Sequence, residues 1–402
     1  MRNPYRELFA APGARGFVLA GLLARLPVPM IGIGIITMLS QLRGSYALAG
    51  AVSAAFVLTY ALLSPQISRL VDRYGQRRVL PNAMVVSVIG IMLLLAGSYW
   101  QAADWTLFVG AVLAGFMPSM SAMVRARWTA IYRGQPRLQT AYSLEAVFDE
   151  VTFIVGPPVS VGLSVAVFPQ AGLLAAAFLL VAGVLALVAQ RGTEPAVEKQ
   201  DGMGHGGSAI RLANVRLLTL LMLGMGVIVG TVEIVSVAFA GQLGQPAAAS
   251  VVLSAYALGS CLAGLLFGAL KLETPLHRLL LLGGLATAVT TLPLLLVDGI
   301  AALSAAVFVA GLFFAPTMIV AMSLIERMVP ERSLTEGMTW LLAGLNVGAA
   351  FGAAVSGLVV DSSDARAGFT VALCAAVLVL LVAVWGHQRL RGPVSLATDL
   401  AT

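Results

Sequence analysis

Apolar residues along this chain occur in long runs, and short polar stretches separate one run from the next. Twelve runs contain about 20 residues each, the length that a helix needs to cross a bilayer core of about 30 Å. No run alternates apolar and polar residues, as the strands of a membrane barrel do. The pattern therefore predicts an all-α integral membrane protein with twelve transmembrane helices. The predicted spans are 17–40, 46–68, 79–99, 105–124, 142–167, 171–190, 214–240, 248–270, 279–297, 300–324, 337–360 and 367–386.

Composition supports this interpretation, because 59% of the 402 residues are hydrophobic and only 10% are charged. A soluble domain carries roughly 25% charged residues. The scarcity of charge excludes an ordinary soluble domain and makes each charge within an apolar run a candidate for function.

The distribution of Lys and Arg predicts the orientation. All but three of the 24 basic residues lie in loops on the side of the two termini, whereas Arg43 and Arg366 lie on the opposite side and Arg25 lies within a span. Positive loops stay in the cytoplasm, so both termini are expected there. The loops also explain the net charge of +6 through contact with anionic lipid, and no nucleic acid partner is expected. A composition rich in Arg, Ala and Gly is typical of a GC-rich bacterial genome, which favours a bacterial cytoplasmic (inner) membrane.

The longest polar stretch, 191–213, predicts a flexible cytoplasmic linker between an N-terminal six-helix bundle, 1–190, and a C-terminal six-helix bundle with a short cytoplasmic tail, 214–402. Two short patterns recur in the halves at a similar offset: 114–120 matches 310–318, and 156–162 matches 352–357. Pseudo-symmetric bundles of this kind place a transporter's binding site near the membrane midplane.

A basic motif follows the second span, and it reads SRLVDRYGQRR over 68–78. Glycine in it permits a tight turn with positive φ, and its aspartate can cap a helix or pair with arginine. The motif resembles the G-x-L-a-D-R-x-G-R-R signature of the major facilitator superfamily, with Ser68 in place of the first Gly and Gln76 in place of a basic residue. The resemblance implies that this loop gates alternating access. The matching positions are Asp72, Arg73, Gly75, Arg77 and Arg78.

The fifth span contains Gly156, Pro157 and Pro158. Proline removes a backbone donor and glycine permits close packing, so a kink is expected here. The stretch partly resembles the G-P-x-x-G-G pattern of the drug:proton antiporter branch of the same superfamily, which implies export. The alternative is a packing kink with no bearing on direction.

Four charged residues lie within predicted spans of the first half: Arg25, Glu145, Asp149 and Glu150. Arg25 and the last two acids lie at similar depths, so Arg25 is expected to pair with Asp149 or Glu150. One arginine does not neutralise three carboxylates, and at least one acid is expected to exchange a proton. The alternatives are an ion pair of purely structural role and, for Glu145, a position at the cytoplasmic interface.

The second half contributes Glu233 in the seventh span and Asn346 in the eleventh. Glu233 has no obvious cationic partner at its depth, so it is expected to bind a proton or a cationic group of the substrate. The alternative is an acid that reaches the interface. Asn346 lies opposite Glu150 in the repeat and is a candidate neutral contact.

Other chemistry finds no support in the sequence. Neither Lys199 nor Lys271 follows a glycine, so no ATP-binding loop is present, and neither metal-ligand clusters nor nucleophile–base pairs occur. No cofactor, no metal and no enzymatic activity are expected.

The resemblance and the buried charges together predict a monomeric secondary active transporter that moves protons and a small-molecule substrate by alternating access, in the direction of efflux. Two alternatives stay open: a proton symporter or facilitator that imports a metabolite, and a non-transporting accessory or receptor-like protein.

Overall fold

The computed structural model describes residues 4–43, 46–197, 208–245, 248–270 and 274–389. The middle of the predicted linker, 198–207, and the predicted tail from 390 onward lie outside these ranges. Every regular element within them is a helix. Eleven helical segments are long and apolar enough to cross a membrane, and a shorter apolar helix, Asp104–Ala114, lies at the fourth predicted position. The chain is a multi-pass membrane protein.

The described residues of Met1–Leu138, Phe148–His205 and Glu331–Thr339 form one compact unit. It contains a short helix α1, the broken first span α2 and α3, the hairpin α4 and α5, the broken fourth span α6 and α7, most of α8, and α9. Their bounds are α1 Pro4–Leu8, α2 Ala14–Arg25, α3 Pro27–Arg43, α4 Tyr46–Tyr74, α5 Gln76–Tyr99, α6 Asp104–Ala114, α7 Met120–Tyr132, α8 Arg137–Ala166 and α9 Ala171–Ala189, with a 3-10 turn at Arg191–Thr193.

The described residues of Gln139–Val147, Gly206–Pro330 and Trp340–Thr402 form the second unit. Glycines at 226, 230, 348 and 352 let α10 and α15 approach closely, as small residues do in membrane helices. The helices are α10 Ala213–Gln242, α11 Ala248–Ala269, α12 Leu276–Thr291, α13 Ile300–Gly311, α14 Phe314–Met328, α15 Leu334–Ser362 and α16 Ala365–Arg389, with 3-10 turns at Ala209–Arg211 and Leu292–Leu296. The 3-10 turn Glu331–Ser333 and the start of α15, up to Thr339, belong to the first unit.

The first predicted span is interrupted in its middle. α2 ends at Arg25 and α3 begins at Pro27, so the break at Leu26 directly follows the intramembrane arginine. Proline has no amide N–H, and Pro27 and Pro29 therefore leave the carbonyls four residues earlier without their usual helical donors. Because of this break, Arg25 lies at the C-terminal end of α2, in the middle of the predicted span.

The fourth predicted span, 105–124, is not one continuous helix. α6 ends at Ala114, residues 115–119 are not helical, and α7 begins at Met120 and continues to Tyr132. Pro118 lies in the unwound stretch, where it cannot donate to a helical ladder. The tenth span breaks at the corresponding place, between Gly311 and Phe314. Irregular backbone at this depth is typical of transporter binding regions.

Two predicted loops are shorter than the charge pattern indicates. The stretch 69–78 is helical except at Gly75, whose φ of +87° turns the chain between α4 and α5. The stretch 125–137 is helical up to Tyr132, and two of its arginines, Arg125 and Arg127, are buried with 1% exposure. Arginine was assigned to a loop because hydropathy alone treats every charge as exposed.

Candidate functional site

Three charged side chains meet where the broken spans of the first unit lie beside α8. Arg25 is the last residue of α2, Arg125 lies on α7, and Asp149 lies on α8. Nη1 of Arg25 lies 3.1 Å from Oδ1 of Asp149, and Nη2 of Arg125 lies 2.6 Å from Oδ2. The Ser121 hydroxyl, one helical turn before Arg125, donates to Oδ1 at 2.5 Å. These four residues are called the Asp149 cluster.

The Asp149 cluster is almost sealed from solvent. Arg25 is 4% exposed and Arg125 is 1% exposed, whereas the Asp149 side chain keeps 17% exposure. Tyr60 of α4 is also buried and lies close enough to interact with Asp149 and Arg25. Charges this deep persist only where opposite charges and hydrogen bonds compensate their loss of water, so this is a built site and not a surface ion pair.

The balance of charge around Asp149 differs from the expectation of one arginine facing three acids. Two arginines share the Asp149 carboxylate, at 3.1 Å and 2.6 Å. The prediction missed Arg125 because its predicted span ends one residue earlier, at 124. Predicted boundaries are uncertain by a few residues, and only this uncertainty allowed Arg125 to belong to the membrane region.

The other two acids of α8 have different surroundings. Glu145 lies one helical turn before Asp149 and is fully buried. Glu150 is half-buried, and each of these two acids has interactions of its own. Neither forms an ion pair with Arg125 within the described part of the chain, where Arg125 pairs with Asp149.

Glu233 and Asn346 belong to the second unit. Glu233 is exposed on the surface of α10. Thr231 on the same helix is buried, and its hydroxyl accepts a hydrogen bond from Ser356 at 2.8 Å. Asn346 is half-buried on α15. An exposed carboxylate within an apolar span requires contact with water or with a polar ligand.

Asp72 caps a helix that begins far away in the sequence. Its Oδ1 accepts the backbone N–H of Thr335 at 3.2 Å, and its Oδ2 accepts that of Glu336 at 2.8 Å. Both amides lie in the first turn of α15, where N–H groups lack helical acceptors. One turn earlier on α4, the Ser68 hydroxyl lies 2.8 Å from the Thr339 hydroxyl. The aspartate thus binds a helix N-terminus within the first unit and not the arginine that was the other possibility.

The remaining residues of the motif surround the turn. The Arg73 guanidinium lies 5.3 Å from the centre of the Tyr74 ring, and the Arg77 amide donates to Oε1 of Glu194 at 2.9 Å. Arg73, Arg77 and Arg78 are exposed. A cavity of about 210 Å³ lies beside Asp72, and its mostly neutral lining includes Arg133 and Glu331, which form an ion pair at 2.8 Å.

Arg127 holds the start of the linker against the motif turn. Its Nε donates to the Gln76 side chain at 2.8 Å, and its two Nη atoms donate to the carbonyls of Leu187 and Gln190 and to the Thr193 hydroxyl, at 2.7 to 3.0 Å. A cation at the end of α9 also stabilises the carbonyl end of that helix. This group is called the Arg127 network. Arg127 therefore contacts the end of α9 and the beginning of the predicted linker, at Thr193.

The two prolines of the fifth predicted span do not end its helix, since α8 continues through Pro157 and Pro158 to Ala166. Gly156 faces the first span: a Cβ at this position would lie 2.8 Å from Cγ of Pro29. One turn later, the Ser160 hydroxyl donates to the Met30 carbonyl at 2.9 Å. Gly156 thus allows α8 to touch the chain just after the break that positions Arg25.

Comparison with known proteins gives consistent matches. The family model described as Major Facilitator Superfamily matches residues 17–244 and 217–398. Multidrug resistance protein 1 of Bacillus subtilis (strain 168) is 26% identical over 197 residues, and this alignment spans 48% of the chain and 49% of the relative, about half of its length.

Two solved structures share the fold. A bacterial homologue of the iron transporter ferroportin in the outward-facing state gives a TM-score of 0.74 at 15% identity and covers 93% of this chain and 98% of its own. FucP, a transporter solved in the outward conformation, gives a TM-score of 0.68 at 13% identity and covers 92% and 98%.

Proposed function

Since the chain belongs to the major facilitator superfamily and is a membrane transporter, not an enzyme, we propose that it exports a small organic compound in exchange for protons. The observation that carries this proposal is the Asp149 cluster: a carboxylate that two buried arginines and a serine hold within the membrane region. Intramembrane carboxylates of this kind are the usual proton carriers of pumps and transporters. Protonation of Asp149 would release both arginines from it.

Efflux is the proposed direction for two reasons. The relative that matches about half of the chain is named a multidrug resistance protein. The Gly156-Pro157 pair also partly fits the antiporter pattern, and it packs against the break beside Arg25. The second candidate is proton symport or facilitated import of a metabolite, and vesicles of known orientation distinguish the two by the direction of accumulation.

The proposed mechanism is alternating access by two six-helix bundles, 1–190 and 214–402, joined by the linker 191–213. We propose that the contact of Asp72 with the first turn of α15 forms and breaks during the cycle, with Arg73 and Arg77 as its exposed neighbours. The positive loops favour cytoplasmic termini in a bacterial inner membrane, and a monomer is sufficient for this cycle.

The test is proton movement in proteoliposomes that contain a pH-sensitive dye, with a panel of small organic compounds. A compound-triggered proton signal in the native protein, absent from the Asp149→Asn/Glu150→Gln double variant, supports the proposal. Asp298→Asn is a matched control, because it removes a carboxylate from an exposed ion pair with Arg366. Compound flux without protons would leave a facilitator, and no response to any compound would favour a non-transporting protein.

Glu233 is the proposed substrate or proton contact of the second unit. Its carboxylate is exposed within an apolar span, where an unused charge is costly. We expect Glu233→Gln to abolish compound-triggered proton movement while the amount of protein in the membrane stays normal. Transport at the native rate in this variant would reduce Glu233 to an acid that reaches the interface.

A further inference from the structure

We propose that the Asp149 cluster binds a monovalent anionic group, and that Arg125 is the residue that holds it. This inference deepens the proposed function, on which it rests for its role in transport, by giving the charge of a ligand at the same site. The shared chemistry is a single negative charge that accepts N–H donors. Two sources supply it: an inorganic anion such as chloride, or the carboxylate of an organic substrate.

The first argument is the hydrogen bonding of Arg125. Its Nη2 donates to Asp149, but its Nε and Nη1 are fully buried and have no acceptor among the described residues. Buried donors are almost always satisfied, and an arginine that is only 1% exposed has little access to bulk water. Two buried donors without an acceptor in the described part of the chain call for an acceptor from outside it.

The second argument is charge. Asp149 carries one negative charge, and both Arg25 and Arg125 point at it. The acids nearest to it along α8, Glu145 and Glu150, form no ion pair with Arg125 within the described residues, where Arg125 pairs with Asp149. Arg125 therefore shares with Arg25 the carboxylate that it contacts, and a further anion would give its two open donors an acceptor.

The third argument is the local backbone. Arg125 lies on a 13-residue helix that begins at Met120, and its N-cap residue Ser119 makes no side-chain capping bond. Ser121, in the first turn, already touches the Asp149 carboxylate, so the positive end of the α7 dipole is directed at the cluster. A helix N-terminus and an open arginine on the same helix both favour an anion.

Arg127 shows that open donors are not a general property of buried arginines here. It lies two residues further along α7 with the same 1% exposure, and each of its three nitrogens donates to at least one acceptor. The contrast makes Arg127 the matched control for Arg125.

The experiment measures the melting temperature of the purified full-length protein in detergent as the anion is varied at constant sodium and ionic strength. Chloride and acetate are the probes, and the bulky sulfonate buffer anion MES, which carries neither a halide nor a carboxylate, is the reference. We expect the native protein and Arg127→Lys to melt at higher temperature in chloride, acetate or both than in MES. Arg125→Lys, which keeps the charge but loses the fork of donors, should need about tenfold more anion for half of that shift. Arg125→Gln should lose it.

The two sources separate within the same experiment. If chloride raises the melting temperature and added acetate does not compete with it, the site binds an inorganic anion. If only acetate raises the melting temperature, the site binds a carboxylate. Competition between the two shows one site that accepts either group. Equal melting temperatures in chloride, acetate and MES, or a full response in both Arg125 variants, would overturn the proposal.

Binding is measured without transport, so the two proposals fail separately. Anion binding without any compound-triggered proton movement would support the anion site and contradict the proposed proton exchange. Proton movement that depends on Asp149, without an anion response, would do the opposite.

Discussion

Arg125 and Arg127 lie two residues apart on α7 with equal exposure, yet the regions around them differ. Arg127 donates to neutral acceptors, mostly carbonyl and amide oxygens, that lie at the end of α9 and on the motif turn. Arg125 shares one carboxylate with Arg25 and keeps two donors open. The first arrangement is complete and holds elements together, whereas the second has charge that a proton or a ligand can rebalance. Burial of an arginine therefore does not indicate its role, and the number and charge of its partners do.

The largest effect is expected from a substitution at the centre of the Asp149 cluster. Asp149→Asn leaves two buried arginines without their shared carboxylate, and removing one partner of a buried ion pair is strongly unfavourable, by about 3–5 kcal/mol. We expect compound-triggered proton movement to fall to the level of empty liposomes. Glu150→Gln, at a half-buried position on the next residue, is the matched control and should keep most of the activity. Equal losses in the two variants would mean that the acids act together.

The second-largest effect is expected from removing the Arg127 network, which tests the contrast between Arg125 and Arg127. Arg127→Gln leaves the Leu187 and Gln190 carbonyls without their charged donor, and we expect the free energy of unfolding to fall by about 3 kcal/mol. Transport per folded molecule should stay close to native. Denaturation of the purified protein measures the first quantity, and proton flux normalised to folded protein measures the second. A variant that is stable but inactive would show that the Arg127 network also takes part in transport.

A smaller effect concerns the packing that positions Arg25. Gly156→Ala places a Cβ 2.8 Å from Pro29, and overpacking of this kind costs about 1–3 kcal/mol. We expect a lower melting temperature and slower transport, because the first span must shift beside the Asp149 cluster. Gly162→Ala is the control on the same helix, since nothing lies within 4 Å of its Cβ position. Helix propensity favours alanine at both positions, so a melting temperature of Gly156→Ala as high as that of Gly162→Ala would count against the contact with Pro29.

The smallest expected effect concerns the motif turn, which contacts the Arg127 network through Gln76. The question is whether this turn only stabilises the fold or also takes part in transport. Asp72→Ala removes the cap of α15 and should lower stability by about 1 kcal/mol. Asp364→Ala removes a cap of the same type, from the Ala367 amide near the start of α16, and serves as the matched control. We expect both variants to lose similar stability, measured by thermal unfolding, but only Asp72→Ala to change the rate of transport. Unchanged transport in both would assign Asp72 to stability alone.

Much of the architecture was predictable from the sequence. The all-helical membrane fold agrees with the twelve apolar runs, and the family match agrees with the motif at 68–78. The breaks beside Arg25 and at 115–119 were marked by Pro27, Pro29 and Pro118, although continuous helices were predicted there. Apolar runs are informative because a bilayer forces each segment to satisfy its own backbone hydrogen bonds, which makes the span a local property of the sequence.

The partners of the buried charges were decided by tertiary structure. Hydropathy assigned Arg125 to a loop, and nothing local in the sequence distinguishes it from Arg127. Whether an arginine meets one shared carboxylate or several carbonyls depends on which helices lie beside α7, and those helices come from distant parts of the chain. The same holds for Asp72 and the first turn of α15. The sequence determined where charge enters the membrane region, because desolvation acts on each segment separately; only the packed helices determined which charges are compensated, because electrostatic and hydrogen-bond energies depend on contacts over a few ångströms.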